Sequence, residues 1–243
     1  MIKQFFKYIF NLISRCIYYV IPKEIREILP QKELSIGSIL NEDSIRENYE
    51  HFKEIFKTTF LFSDVLEIRK YAIENAISND KQKELFYLEF GVWKGKSTNF
   101  FSKYVKKLYA FDSFEGLRED WVGTETKGKG HFNLNKQIPK LNSNIEPIVG
   151  FVQDTLDDFL KKHNPKINFV HLDMDTYPST KYALERLKPF FNKDAIIIFD
   201  ELYNYHGWKN GGEYKALKEV FKDDEYIFKA FNISSKQVVI QIK

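Results

Sequence analysis

Two apolar runs in this chain end in acids. Ile167-Asn-Phe-Val-His-Leu172 leads into Asp173-Met-Asp-Thr-Tyr-Pro-Ser-Thr180, and Ala195-Ile-Ile-Ile-Phe199 leads into Asp200-Glu201. If both runs are neighbouring parallel strands, Asp173, Asp175, Asp200 and Glu201 crowd together at their carboxyl ends, the rim where open α/β sheets bind ligands. That density of negative charge is costly unless a cation, a shared proton or a hydrogen-bond donor offsets it. A hard divalent cation with oxygen ligands is the simplest resolution, and Mg²⁺ is the expected occupant. For a single acid the bland reading is a helix cap or a solvated turn, and Asp175, ahead of a helix expected over 179–190, suits a cap. Four acids meeting at one rim favour the functional reading.

A second constellation carries binding chemistry. Tyr87-Leu-Glu-Phe-Gly-Val-Trp-Lys-Gly-Lys-Ser97 reads as a strand ending in Glu89 and Gly91, then a turn closed by Gly95 and Ser97, then a helix. Leu108-Tyr-Ala-Phe-Asp112 reads as the next strand, ending in an acid placed to bind both hydroxyls of a ribose. There is no Gly-x4-Gly-Lys-Ser/Thr to cradle phosphates and no Gly-x-Gly-x-x-Gly for a dinucleotide. A ligand with a ribose but no pyrophosphate fits, and S-adenosylmethionine is the common one. Trp93 either covers its sulfonium by cation–π attraction or packs. Gly150-Phe-Val-Gln-Asp-Thr155 follows a later strand, where an adenine would lie; Asp154 accepts from its amino group or caps a helix. The expected cofactor contacts are Glu89, Gly91, Trp93, Gly95, Ser97, Asp112, Ser113, Gly150, Asp154 and Asp173. His131 and His206 fall in loops that should border the pocket and are candidates for substrate contact or proton transfer, whereas His171, flanked by strand apolars, reads as a buried histidine.

These residues require a frame. Apolar runs over 85–90, 107–111, 145–149, 167–172, 195–200, 226–233 and 237–242 read as strands. Helical patterns over 96–105, 155–162, 179–190 and 212–222 lie between them, and two more precede them, to about residue 56 and over 64–77. The central runs are nearly all apolar, as parallel strands buried on both faces should be. The last two form a hairpin across Asn232-Ile-Ser-Ser-Lys236. The expected architecture is α/β: a Rossmann-like, doubly wound, mostly parallel seven-stranded sheet with an antiparallel edge strand, plus N-terminal helices. The stretch 113–144 is long for a connection and contains Trp121, so it reads as a lid or substrate loop.

A chain of 243 residues, 43% hydrophobic, is one large domain or a domain with an appendage. The division expected is a helical extension over 1–40 and a catalytic domain over 41–243. A net charge of +3 is too mild to argue for nucleic acid. The single cysteine, Cys16, excludes an internal disulfide and a cysteine-based zinc site, and suits a reducing cytoplasm. Residues 5–21 have a broad apolar face and a narrow polar stripe, but Lys7 and Arg15 make them too short and too charged to span a membrane. They are also unlike a signal peptide. Two readings stay open: a helix docked on this domain or on a second subunit, giving a homo-oligomer, or one lying on the membrane surface through residues 3–21 at its inner face.

With these residues in place, the chain resembles class I S-adenosylmethionine-dependent methyltransferases, and more narrowly the macrocin O-methyltransferase family, which methylates sugar hydroxyls. The matching stretches are Glu89-Phe-Gly-Val-Trp-Lys-Gly-Lys-Ser97, Phe111-Asp-Ser-Phe-Glu-Gly-Leu117 with Asp120-Trp-Val-Gly123, Gly150-Phe-Val-Gln-Asp-Thr-Leu156, His171 to Thr180, and Phe199-Asp-Glu-Leu-Tyr203, followed by Gly207-Trp208 and Glu213-Tyr-Lys-Ala216. The resemblance implies Mg²⁺ on Asp173, Asp200 and Glu201 and a proton-accepting Asp175. Glu201 departs from the aspartate common at its position. The implied reaction is methyl transfer to a hydroxyl of a small-molecule or saccharide acceptor. Its rivals are metal-independent methylation of a non-sugar acceptor and a non-catalytic scaffold subunit.

Overall fold

A computed structural model describes residues 35–82, 84–121 and 127–243, with Val20 and Pro22 ahead of them. Of the helix expected over 5–21, all but Val20 lies outside these residues. Asn41–Lys243 form one compact unit.

Eight strands make one sheet. In chain order the elements are helix α1 (Ile36–Phe56), β1 (Phe60–Phe62), α2 (Val65–Asn79), β2 (Phe86–Phe90), α3 (Lys96–Ser102), β3 (Leu108–Asp112), β4 (Ile145–Val149), α4 (Val152–His163) and β5 (Ile167–Leu172). There follow α5 (Tyr177–Leu187), a 3₁₀ turn (Lys188–Phe190), β6 (Phe191–Phe199), α6 (Trp208–Gly211), α7 (Glu213–Val220), β7 (Tyr226–Asn232) and β8 (Val238–Ile242). The spatial order is β1-β7-β8-β6-β5-β2-β3-β4. β8 runs antiparallel to both β6 and β7, so the antiparallel side expected from the closing hairpin is present. The eighth strand, β1, pairs in parallel with β7 at the edge. Three residues are too few to show a period, which is why β1 is not legible as a strand.

Both faces of the sheet are covered. Along β2, Leu88 and Phe90 join a core with Leu156 and Phe159 of α4, Leu184 of α5 and Leu217 of α7. Tyr87 joins the opposite core with Ile68, Ala72 and Ile73 of α2 and Phe101 of α3. This two-sided burial explains the unbroken apolar strands. Fully burying one such side chain is worth about 1.5–3 kcal/mol.

The chain runs outward from β2 to β3 and β4, then returns to lay β5 and β6 on the other side, so direction reverses between β2 and β5. Crevices at such a reversal bind ligands at the carboxyl ends. The registers keep those ends level: Phe90 faces Phe111 and Leu172, and Leu172 faces Phe199. Backbone bonds carry the alignment one residue further, from Gly91 N to Phe111 O (2.9 Å), Asp173 N to Phe90 O (2.8 Å) and Asp200 N to Leu172 O (2.9 Å). No helix among the described residues is long and apolar enough to cross a membrane.

Candidate active site

The crevice at the reversal point is lined by Gly91, Trp93, Ser97, Asp112, Ser113, Gly150, Asp173 and Asp175, all expected, and by Arg69, Arg118, Phe132 and Gln153, which were not. Gly91 has φ 91°, and a Cβ there would lie 1.7 Å from the carbonyl oxygen of Asp173. Only glycine lets β2 and β5 close at this point. Asp112 does more than its position at the strand end suggested. Its Oδ2 accepts from the backbone N–H groups of Val92 (2.7 Å) and Trp93 (2.8 Å), and its Oδ1 from Phe114 (2.7 Å). It therefore clamps the turn after β2 while facing the cavity, and its Oδ1 retains a lone pair for a ribose hydroxyl. Trp93 is 40% exposed at the mouth, with the Phe132 ring edge-on at 5.2 Å.

Three expected cofactor contacts stand off the cavity wall. Gly95 caps α3 in the left-handed region and packs near Leu141. Asp154 lies in the first turn of α4, which starts three residues earlier than expected, and pairs with Arg118 at 3.5 Å on the surface. Phe151, Val152 and Gln153 line the cavity in its place, with Arg118 over the Phe151 ring at 5.3 Å and donating to Gln153 Oε1 at 3.2 Å. Glu89 is fully buried beneath the crevice, its Oε1 2.8 Å from His171 Nδ1.

His171 links two acids. Its Nε2 lies 3.3 Å from Asp200 Oδ1, so both ring nitrogens face carboxylates. Burial pulls its pKa down, but Asp200 and Glu89 outweigh that and hold it at about 9. The same Asp200 oxygen accepts from Arg69 Nη2 at 2.8 Å and from Gln237 Nε2. Burial opposes the Asp200 charge, yet His171 and Arg69 hold its pKa below the ordinary range. The other acids move the opposite way. Burial, then the Asp173 charge, pushes Asp175 up to about 8, and burial with the Asp200 charge raises Asp173 and Glu201 well above normal. Carboxylate oxygens of Asp173, Asp175 and Glu201 lie within 4.8 Å of one another. Behind them Glu213, fully buried, accepts the Glu201 backbone N–H at 2.9 Å.

The acids thus meet as expected, but not in the expected triplet. Among the described residues, ligand atoms converge in two sets: His171, Asp173 and Asp200, and Asp173, Asp175 and Glu201. In the first set both His171 nitrogens already face carboxylates, Nδ1 towards Glu89 and Nε2 towards Asp200. The second would take Asp175 as a ligand. The resemblance-implied set of Asp173, Asp200 and Glu201 is divided between these two sets, and Asp200 meets Arg69, His171 and Gln237 through Oδ1 alone, which leaves Oδ2 to an ion.

The loop after β3 folds over the site. Glu119 Oε1 accepts from Thr176 Oγ1 (2.5 Å) and Ser179 Oγ (3.0 Å) at the start of α5. Trp121 is buried, with Lys127 Nζ at 4.5 Å and Lys236 Nζ at 5.3 Å from its ring. His131 and His206 are both exposed and neither lines the cavity. Arg69, Glu119, Lys236 and Gln237 carried no signal in sequence, since each looks like an ordinary polar residue of a helix face or loop. Glu213 was visible only as part of a motif without a role.

Residues 88–202 match the family model of a methyltransferase domain. No curated protein sequence matches this chain. Among solved structures, CalS11, a calicheamicin methyltransferase, aligns with a TM-score of 0.59 at 18% identity over 90% of each chain. The O-methyltransferase NovP aligns at 0.56 and 19% identity, over 73% of this chain and 79% of its own. An apo structure of CalS11, described as a TDP-rhamnose 3'-O-methyltransferase, aligns at 0.52 and 16% identity over 86% of this chain and 96% of its own. Identities this low speak for the fold alone. The matched domain and the shared sheet give this chain the fold seen in these methyltransferase structures.

Proposed function

We propose that this protein moves a methyl group from S-adenosylmethionine to a hydroxyl, on a sugar or a glycosylated metabolite. The observation that carries the reading is one crevice holding both a nucleoside-type wall (Gly91, Asp112, Gln153) and Asp175, a buried carboxyl with a raised pKa. Perturbed acids in a cleft beside a cofactor wall are suited to proton transfer. The O-linked acceptor is supported by the motif resemblance and by the descriptions of CalS11 and NovP as neighbours in fold. The narrower kinship with macrocin O-methyltransferases rests on motifs alone.

The sulfonium already activates the methyl, so the protein has to align oxygen, carbon and sulfur and remove one proton. The acceptor oxygen attacks the methyl carbon, the carbon–sulfur bond breaks, and the hydroxyl proton passes to Asp175. The products are a methyl ether and S-adenosylhomocysteine. Asp112 holds the ribose, and Trp93 covers the cofactor at the mouth. The loop carrying Glu119 and Trp121 closes over the acceptor. No step is assigned to Mg²⁺, because its implied ligands are divided between two clusters. His131 and His206 are left as acceptor contacts from outside the cavity wall. Residues 1–40 are an extension outside the reaction, serving to dock the domain on a second copy or on a membrane surface.

The test is transfer of labelled methyl to a panel of sugars and glycosides, comparing wild type with Asp175→Asn. The variant is expected to keep cofactor affinity and lose about 10²–10⁴-fold in rate, the range for a general base. Equal rates would remove Asp175 from the reaction.

A further inference from the structure

The acid cluster already contains a cation, and it comes from outside the matched domain. Arg69 stands on the second turn of α2. Asp64 fixes the start of that helix, its Oδ1 accepting from Leu66 N (2.7 Å) and Glu67 N (3.0 Å). Ile68 and Ala72 are fully buried in the core on that side of the sheet, which holds Arg69 at the helix flank. α2 runs against the strands. Asn79 at its far end donates to the Asp194 carbonyl, near the start of β6, at 2.9 Å. Arg69 reaches Asp200, just past the other end of the same strand, at 2.8 Å.

The pair is largely withdrawn from water, with side chains 13% and 19% exposed. Arg69 also lines the cofactor crevice together with Gly91, Asp173 and Asp175. With His171 and Gln237 on the same oxygen, Asp200 Oδ1 receives three donors against two lone pairs. A divalent ion would be left with Asp200 Oδ2, beside a tethered guanidinium whose charge repels it.

We propose that Arg69 is the resident cation of this active site, standing beside Asp200 where the motif resemblance implies a divalent metal. This rests on the methyl-transfer reading of the crevice. A guanidinium does not dissociate and does not lose its charge at any working pH. It fixes Asp200, and through His171 also Glu89, into one chain of polar contacts beside the crevice. Arg69 is a positioning residue, and removal of the hydroxyl proton is left to Asp175 without a metal-bound acceptor.

The experiment is calorimetric titration of Mg²⁺ into the full-length protein saturated with S-adenosylhomocysteine, for wild type, Arg69→Lys and Arg69→Met. Wild type and Arg69→Lys are expected to show no stoichiometric uptake at sub-millimolar Mg²⁺. Arg69→Met is expected to take up one ion per chain, because the repelling charge is gone from beside Asp200 and Asp173. A merely structural role for Arg69 would not create a metal site. Tight uptake by wild type overturns the proposal, as would a set centred on Asp173, Asp175 and Glu201. Uptake by Arg69→Lys, or none by an Arg69→Met that still binds S-adenosylhomocysteine, overturns it too. The wild-type measurement needs no variant, so it decides even if Arg69→Met folds poorly. Failure of S-adenosylhomocysteine to bind wild type would instead strike the methyl-transfer reading.

Discussion

Asp175 sits where burial and a neighbouring charge work together, and its chemistry follows from that. Both favour the protonated form, so the carboxyl becomes a base only as pH climbs through about 8. Methyl transfer that depends on Asp175 should therefore rise with pH, about tenfold per unit on the acidic side, and level off above about 8. Asp175→Asn should give a low, flat profile over the same window. A wild-type profile already flat between pH 6 and 8 (roughly two units of the expected rise) would assign the base elsewhere. The linkage to stability has a definite sign. A raised folded-state pKa contributes stability that is complete below the ordinary aspartate range and is lost as pH rises through about 8. Thermal unfolding of wild type should shift downward over that window, and that of Asp175→Asn should shift less.

At the scale of elements, the site is a product of turns and caps rather than of strands alone. The turn after β2 exists because Gly91 avoids the Asp173 carbonyl and because Asp112 accepts three backbone N–H groups. The loop after β3 is fastened to α5 by Glu119, whose Oε1 takes both Thr176 and Ser179. Hydrogen bonds to a charged acceptor are worth about 1.5–3 kcal/mol each. Glu119→Ala should loosen the loop, raising the acceptor KM by roughly tenfold, about 1.4 kcal/mol, while cofactor affinity stays the same. Steady-state kinetics with varied acceptor, beside cofactor calorimetry, checks this; an unchanged KM would leave the loop without a substrate role. The strands and the glycine turn were legible because apolar runs ending in Glu89, Asp112, Asp173 and Asp200 leave a periodic trace. Arg69 was not, because on a helix face its partner lies 131 positions away. His171 was readable as buried, but not as the bridge between Glu89 and Asp200. The pairing of Asp200 with Arg69 rather than with Glu201 required the third dimension.

Across the whole molecule, the described residues that line the crevice run from Arg69 to Ser179. Deleting residues 1–34 should accordingly leave S-adenosylmethionine affinity unchanged. It should abolish whichever association the extension supports, cosedimentation with anionic liposomes or self-association in analytical ultracentrifugation. A full-length chain that shows neither behaviour would contradict the docking role. The central claim is that this crevice binds S-adenosylmethionine through Asp112 at the carboxyl end of β3. Its most direct test is calorimetric titration of S-adenosylmethionine into wild type and Asp112→Ala. Wild type should bind one molecule per chain. The variant should bind it more weakly by about 1.5–3 kcal/mol, roughly 10- to 100-fold, having lost a charged acceptor for the ribose and for the turn. No heat from wild type, or equal affinity in a folded Asp112→Ala, would contradict the account.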